Sequence, residues 1–295
     1  MGNKEIILAG KIAQEVKEYI APFVKKGVSL LEIAEKIESK IIELGGKPAF
    51  PTNLSINEIA AHSTPSYNDE TLAHGLIKVD LGVQVDGYIS DTSFSLDLEN
   101  SEQNKKLIEA SKKALENAKK IIEKEIQTNK IGKTIQETIE SYGFSPIINL
   151  SGHQIEQYNL HAGISIPNIN DKRETEITPG LYAIEPFATN GAGKVKDGKP
   201  SGIYSLIDYK NIRNPNAREI LEYIAEEYVE LPFCSRWLVK KFGTKVLVSL
   251  NQLEQNGNLH QYPQLIEVEK GIVSQAEDTI LIEENGKKTI TTSRD

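Results

Sequence analysis

Apolar residues recur at helical spacing near the start of the chain. Ile6, Ala9, Ile12, Ala13, Val16 and Ile20 form one stripe, which predicts an amphipathic helix over residues 3–20. Ser29 can cap a second helix whose inward face is Leu30, Ile33, Ala34, Ile37, Ile41 and Leu44, ended by Gly45-Gly46. Residues 50–56 read as extended or turning, because Pro51 steers Phe50 away from helix. Residues 77–98 give the clearest strand signal, two alternating runs on either side of Asp86-Gly87, a strong hairpin dipeptide. Two more helices are predicted over 101–125 and 131–142, followed by strand-like runs at 146–167 and 175–188. The Gly-rich, basic stretch 190–200 reads as a solvated loop. Residues 214–257 are mostly helical, with breaks at Pro232 and Gly243, before strands return at 265–268 and 271–283. Helix, helix, hairpin thus recurs as helix, helix, strands, a hint of two similar halves. Helices set between two β regions predict an α+β fold carrying an insertion.

Composition narrows the function. Of 295 residues, 39% are hydrophobic and 26% charged, enough for a sizeable core. Net charge is -8, which argues against a nucleic-acid partner, since phosphate binding rests on Lys and Arg. The single cysteine, Cys234, allows no intrachain disulfide and no Cys-based zinc site, as expected of a cytoplasmic protein, and it reads as packing. The first twenty residues carry charges of both signs and no long apolar run, so neither a signal peptide nor a membrane partner is expected. His74 and His260 read as surface residues.

The hairpin carries the first chemistry. With a two-residue Asp86-Gly87 turn, paired residues have numbers summing to 173, so Asp80 faces Ser93 and Asp91 faces Gly82. Asp80 and Asp91 then become same-face diagonal neighbours, about 7–8 Å apart at the backbone. Two carboxylates brought to about 4 Å repel by roughly 4 kcal/mol at an effective dielectric near 20, so a proton or a cation must sit between them. From the hairpin alone, a solvated face carrying both aspartates is the more ordinary outcome. Three further residues change that reading. His153 follows Gly152 in a β segment, Glu185 lies in the apolar run Ala183-Ile184-Glu185-Pro186-Phe187, and Glu277 opens another apolar run. Buried carboxylates are uncommon without partners. Two Asp, one His and two Glu suit a pair of divalent ions such as Co, Mn, Fe or catalytic Zn.

Longer motifs point further. FPTNLSINEIAAHSTP at 50–65, KVDLGVQVDGYISDT at 78–92 and GHQIEQYNLHAGISIPN at 152–168 resemble the methionine aminopeptidases, specifically their type II branch. So do AIEPFAT at 183–189, LPFCSRWL at 231–238 and SQAEDTIL at 274–281. The resemblance implies a pita-bread fold in one catalytic domain over 1–295, with a type II helical insertion over 195–262. It implies that Asp80 binds one metal, that His153 and Glu185 bind the other, and that Asp91 and Glu277 bridge them. The expected nucleophile is a water activated by the metals. Glu185 is given a share in proton transfer. His62 and His161 match histidines that contact the substrate, with His161 also stabilising the transition state. The methionine pocket is expected from Phe50, Pro51, Leu160, Ile203 and Tyr262. The implied substrate is the N-terminus of a nascent polypeptide with a small second residue, and the implied protein is a monomer of the short, archaeal-like form. The ribosome is a second candidate partner. Two rivals share this fold, an X-Pro dipeptidase or aminopeptidase and a non-enzymatic binding protein, and the intact ligand set weighs against the second.

Overall fold

A computed structural model describes residues 2–292. The first half begins with α1 (Asn3–Ile20) and α2 (Leu30–Glu43). Their inward stripes are those of the sequence pattern, and the Ser29 hydroxyl accepts the amide of Glu32 as the cap. Three strands follow, β1 (Lys47–Ile56), the short β2 (Ile59–Ala61) and β3 (Leu76–Val85), and then β4 (Tyr88–Asp97). β1, β3 and β4 form one antiparallel sheet, and α1 and α2 bury Ile12, Val16, Ile33 and Ile37 against its Ile77, Val79 and Leu81.

The second half repeats this plan. α3 (Glu102–Ile122) and α4 (Thr128–Ser141) precede β5 (Ser145–Pro146), β6 (Ser151–Glu156), β7 (Asn159–Pro167), β8 (Gly180–Ile184) and β9 (Phe187–Thr189). Leu107, Ala114, Ile131 and Ile135 of the helix pair pack on Tyr182, Ile184 and Ile280. The two similar halves hinted at by the element order therefore exist as two helix pairs, each with its own core on its own sheet.

The remaining elements are β10 (Val195–Leu206), α5 (Pro215–Glu227), β11 (Phe233–Cys234), α6 (Ser235–Phe242), α7 (Val246–Gln255), β12 (Leu259–Glu267), β13 (Val273–Gln275), β14 (Asp278–Ile282) and β15 (Lys288–Ile290). α5, α6 and α7 stand between β10 and β12, which pair antiparallel, and close over their own core of Ile220, Leu221, Leu238 and Leu250. Cys234 is buried there. The stretch expected as a loop over 190–200 becomes strand from Val195 onward. Its Lys196 and Lys199 stay exposed, and the strand is imposed by pairing with β12, a tertiary effect that the Gly and Lys content hid.

Two sheets meet at the centre. β15-β14-β8-β6-β7 forms a five-stranded sheet, and an isolated bridge between Ser93 and Glu277 joins it to β4. Ser93 and Glu277 exchange amide hydrogen bonds of 3.3 and 3.2 Å. Thr279 closes the same seam, its hydroxyl accepting from the Asp91 amide at 2.8 Å and donating to the Asp91 carbonyl at 2.7 Å. The halves are thus stitched together at two of the carboxylate-bearing positions.

Candidate metal centre and substrate pocket

The hairpin register is as the Asp-Gly turn dictates. Asp86 and Gly87 both hold positive φ, 50° and 81°, the geometry of a two-residue turn that matches strand twist. Asp80 pairs with Ser93 and Gly82 with Asp91, with no bulge along the β3–β4 ladder. Across the seam, Asp278 pairs with Ile184 and His153 with Ala183. Asp80 on β3, Asp91 on β4, His153 on β6, Glu185 just past β8 and Glu277 just before β14 therefore gather at strand ends and centres of adjoining strands.

Donor atoms of Asp91, His153 and Glu277 lie within 4.8 Å of one another. His153 Nε2 is 3.6 Å from Asp91 Oδ2 and 3.9 Å from Glu185 Oε1. These are not ion pairs, because burial lowers the imidazole pKa to about 4 and leaves it neutral, with a lone pair to offer. Burial, with little to offset it, raises the Asp80 carboxyl to about 7. Asp91, Glu185 and Glu277 are pushed well above the ordinary carboxylate range, first by burial and then by one another and Asp80. Asp80 Oδ1 and Asp91 Oδ1 are buried without a hydrogen-bond partner. Two buried carboxylates (Asp91, Glu277), two half-buried ones (Asp80, Glu185), a neutral imidazole and two unpartnered carboxylate oxygens fit divalent cations, and among the described residues no Lys or Arg lines the cavity with them.

A residue that the sequence reading left aside stands beside the cluster. Gln275 Nε2 is 3.4 Å from both Glu185 Oε2 and Glu277 Oε2, a long contact that still gives each carboxylate a donor. Its only sequence signal is its place two residues before Glu277, inside a matching motif.

The cluster lines a cavity of about 430 Å³. Every residue expected at the site lines it: Phe50, Pro51, His62, Asp80, Asp91, His153, Leu160, His161, Glu185, Ile203, Tyr262 and Glu277. Ile203 and Tyr262 are register partners on β10 and β12, and they bring the helical segment's sheet to the cavity wall. His62 follows β2 with a φ of 57°, and its Nδ1 lies 3.3 Å from the Pro263 carbonyl. Burial lowers its pKa. Tyr262 stands edge-on to His62 at 5.4 Å and to His260 at 4.9 Å, so His260, although exposed, backs the pocket wall. His161 is edge-on to His153 at 4.5 Å. Its pKa is also lowered, first by burial of the ring and then by His153 and His62, although the residue as a whole is exposed. His74 is exposed and lies outside the cavity.

The chain is 49% identical to the methionine aminopeptidase of Methanocaldococcus jannaschii over 293 residues, covering 98% of each chain. It is 49% identical to that of Thermococcus onnurineus, covering 96% of this chain and 97% of the relative. Among solved structures, a thermophilic Arx1 superposes with a TM-score of 0.83 at 16% identity, covering 99% of this chain and 91% of that one. A methionine aminopeptidase from Thermotoga maritima gives 0.70 at 22%, covering 100% and 98%. A prolidase from Pyrococcus furiosus gives 0.60 at 18%, covering 99% and 64%. These distant likenesses establish the pita-bread fold. The description "Metallopeptidase family M24" matches residues 4–284, and the chain belongs to that family of metal-dependent hydrolases.

Proposed function

We propose that this metallopeptidase removes the N-terminal methionine from nascent polypeptides whose second residue is small. One observation carries the reading. Asp80, Asp91, His153, Glu185 and Glu277 line one cavity together with the apolar side chains of Phe50, Leu160, Ile203 and Tyr262. An aminopeptidase for methionine needs that juxtaposition, a hydrolytic centre next to a slot for a soft, unbranched side chain.

Asp80, Asp91, His153, Glu185 and Glu277 are assigned to two divalent ions, with Asp91 and Glu277 at the seam shared by both. The ions, Co, Mn, Fe or Zn, supply Lewis acidity and lower the pKa of water. The protein's own groups do the rest. His62 and His161 are neutral near pH 7, so each can donate a hydrogen bond to the scissile amide and its developing charge. Glu185 lines the cavity among the proposed ligands and is assigned to take a proton and return it to the leaving amine. Phe50, Pro51, Leu160, Ile203 and Tyr262 hold the methionine side chain and exclude water from it.

The three helices between β10 and β12 support placement in the type II branch, as an insertion over 195–262 within one catalytic domain. The protein is read as a cytoplasmic monomer that meets nascent chains, with the ribosome as a further contact. Among the described residues no helix is long and apolar enough to cross a membrane. Metal-loaded protein should release methionine from a Met-Gly peptide and leave an Ala-Pro dipeptide intact. The reverse preference would make it a proline-directed peptidase of the same fold.

A further inference from the structure

We propose that Asn53 recognises the free α-amino group of the substrate, and so makes the site specific for chain ends. The inference rests on the aminopeptidase reading above.

Asn53 lies on β1 and is 6% exposed, yet its Oδ1 has no hydrogen-bond partner. The amide orientation is set by Nδ2, which donates to the Pro51 carbonyl at 3.2 Å, so the oxygen is the free end. A buried acceptor left unpaired is costly, and a site that keeps one implies a donor that arrives from outside. The residue lines the substrate cavity. It is also the register partner of Asp80, and partners across an antiparallel ladder point to one face. Asp80 carries an unpartnered buried oxygen of its own. The Asp80 oxygen is taken up by the metal assignment above, so the acceptor left over on this wall is Asn53 Oδ1, beside the metal centre.

The spacing along β1 suits the ligand. Phe50 and Pro51 line the same cavity, and Asn53 follows three residues after Phe50 across a β-bulge, so the two lie less than the roughly 10 Å of a fully extended chain apart. One strand thus offers an apolar surface and an acceptor within the reach of a single amino-acid residue. An N-terminal methionine carries the complement on one Cα, a thioether chain and a group with several N–H donors. An amide nitrogen within a chain has one N–H, and an acylated terminus has lost the charge that strengthens such bonds.

Two ligands that differ only in the amine test this. Calorimetry on the manganese-reconstituted protein would measure binding of L-methionine and of 4-(methylthio)butanoate, which lacks the amine. Wild type should prefer methionine. In Asn53→Ala, methionine binding should weaken about ten- to a hundredfold, the range for losing a hydrogen bond to a charged group, while the butanoate is unaffected. Asn53→Ser keeps an acceptor and should fall between the two, with a melting temperature to show that it folds. Manganese affinity should be unchanged in both variants. Equal weakening of the two ligands, or loss of manganese affinity, would make Asn53 a structural or metal-binding group and overturn the inference. Unchanged methionine binding would overturn it as well. A wild type that leaves methionine peptides uncut would instead overturn the reading on which it rests.

Discussion

Gly82 lies under the ring of Phe50. The two are register partners on β3 and β1, and a Cβ placed on Gly82 would come 2.2 Å from Phe50 Cε1. Gly82 is also the partner of Asp91, so one glycine sits between the proposed methionine pocket and the proposed metal centre. Its lack of a side chain is what lets the ring lie flat on the sheet. Gly82→Ala should push Phe50 into the cavity and narrow it. KM for methionine peptides should rise about tenfold, equivalent to roughly 1.4 kcal/mol, with metal content unchanged. An unaltered KM would remove Phe50 from the pocket wall.

Asp91→Asn should lose activity and most divalent-metal binding, because one carboxylate of the proposed shared pair is gone. The same change should stabilise the metal-free protein, since Asp91 is buried among Asp80, Glu185 and Glu277, each raising the others. Melting temperatures in chelator and in excess manganese check both halves of this expectation. The variant should melt higher than wild type in chelator and lower in manganese. Near-normal turnover at saturating metal would remove Asp91 from the ligand set.

Stability of the metal-free protein should depend on pH with a definite sign. Asp80, Asp91, Glu185 and Glu277 have folded values above their ordinary 3.8 and 4.5. The folded protein then holds more protons than the unfolded chain, and stability is lost as pH rises through the raised values, about 7 for Asp80. His62, His153 and His161 act oppositely, because their folded values lie below 6.5 and stability is gained as pH rises toward it. The trends oppose each other below 6.5, and only the carboxylate trend continues above it. The urea midpoint in chelator should therefore fall as pH rises above 6.5 through about 7, the Asp80 value, with the other raised carboxylates continuing the fall in the same direction. Manganese should abolish that fall by pairing the ionised carboxylates.

Some of this geometry was legible in the sequence for a local reason. The Asp86-Gly87 turn sets the β3–β4 register by chain connectivity alone, so the relation of Asp80 to Asp91 could be counted residue by residue. The helix pairs were equally readable from their apolar stripes. Residue periodicity could not reach Glu277, because its place beside Asp91 depends on a bridge to Ser93, 184 positions away, and on Thr279. Its place as a carboxylate opening an apolar run marked it as a candidate ligand, and the family resemblance gave it a bridging role, although neither showed the seam that positions it. Nor could counting reveal Asn53 or Gln275. Their interest lies in which polar atoms are left unpaired or shared after folding, and strand patterns carry no such information.

The Glu38 carboxylate organises the other side of the pocket. Arg236 grips it with two bonds of 2.6 and 2.8 Å, Trp237 Nε1 donates to it at 2.8 Å, and the Thr52 amide donates at 3.3 Å. Arg236 also reaches the Pro65 carbonyl at 3.0 Å. One buried pair thus ties α2 and α6 to the strand that carries Phe50 and Pro51 and to the segment that follows His62. Removing one partner strands the other charge in the interior. Arg236→Ala should cost about 3–5 kcal/mol in urea unfolding, well above the effect of an exposed ion pair. Glu38→Gln keeps one acceptor oxygen for its donors and should cost less. Both variants should raise KM for methionine peptides more than they lower kcat, because the clamp holds pocket walls and touches no reacting atom. A loss of stability below about 1 kcal/mol in Arg236→Ala would show that the pair is solvated in practice and leaves the pocket wall to the apolar core.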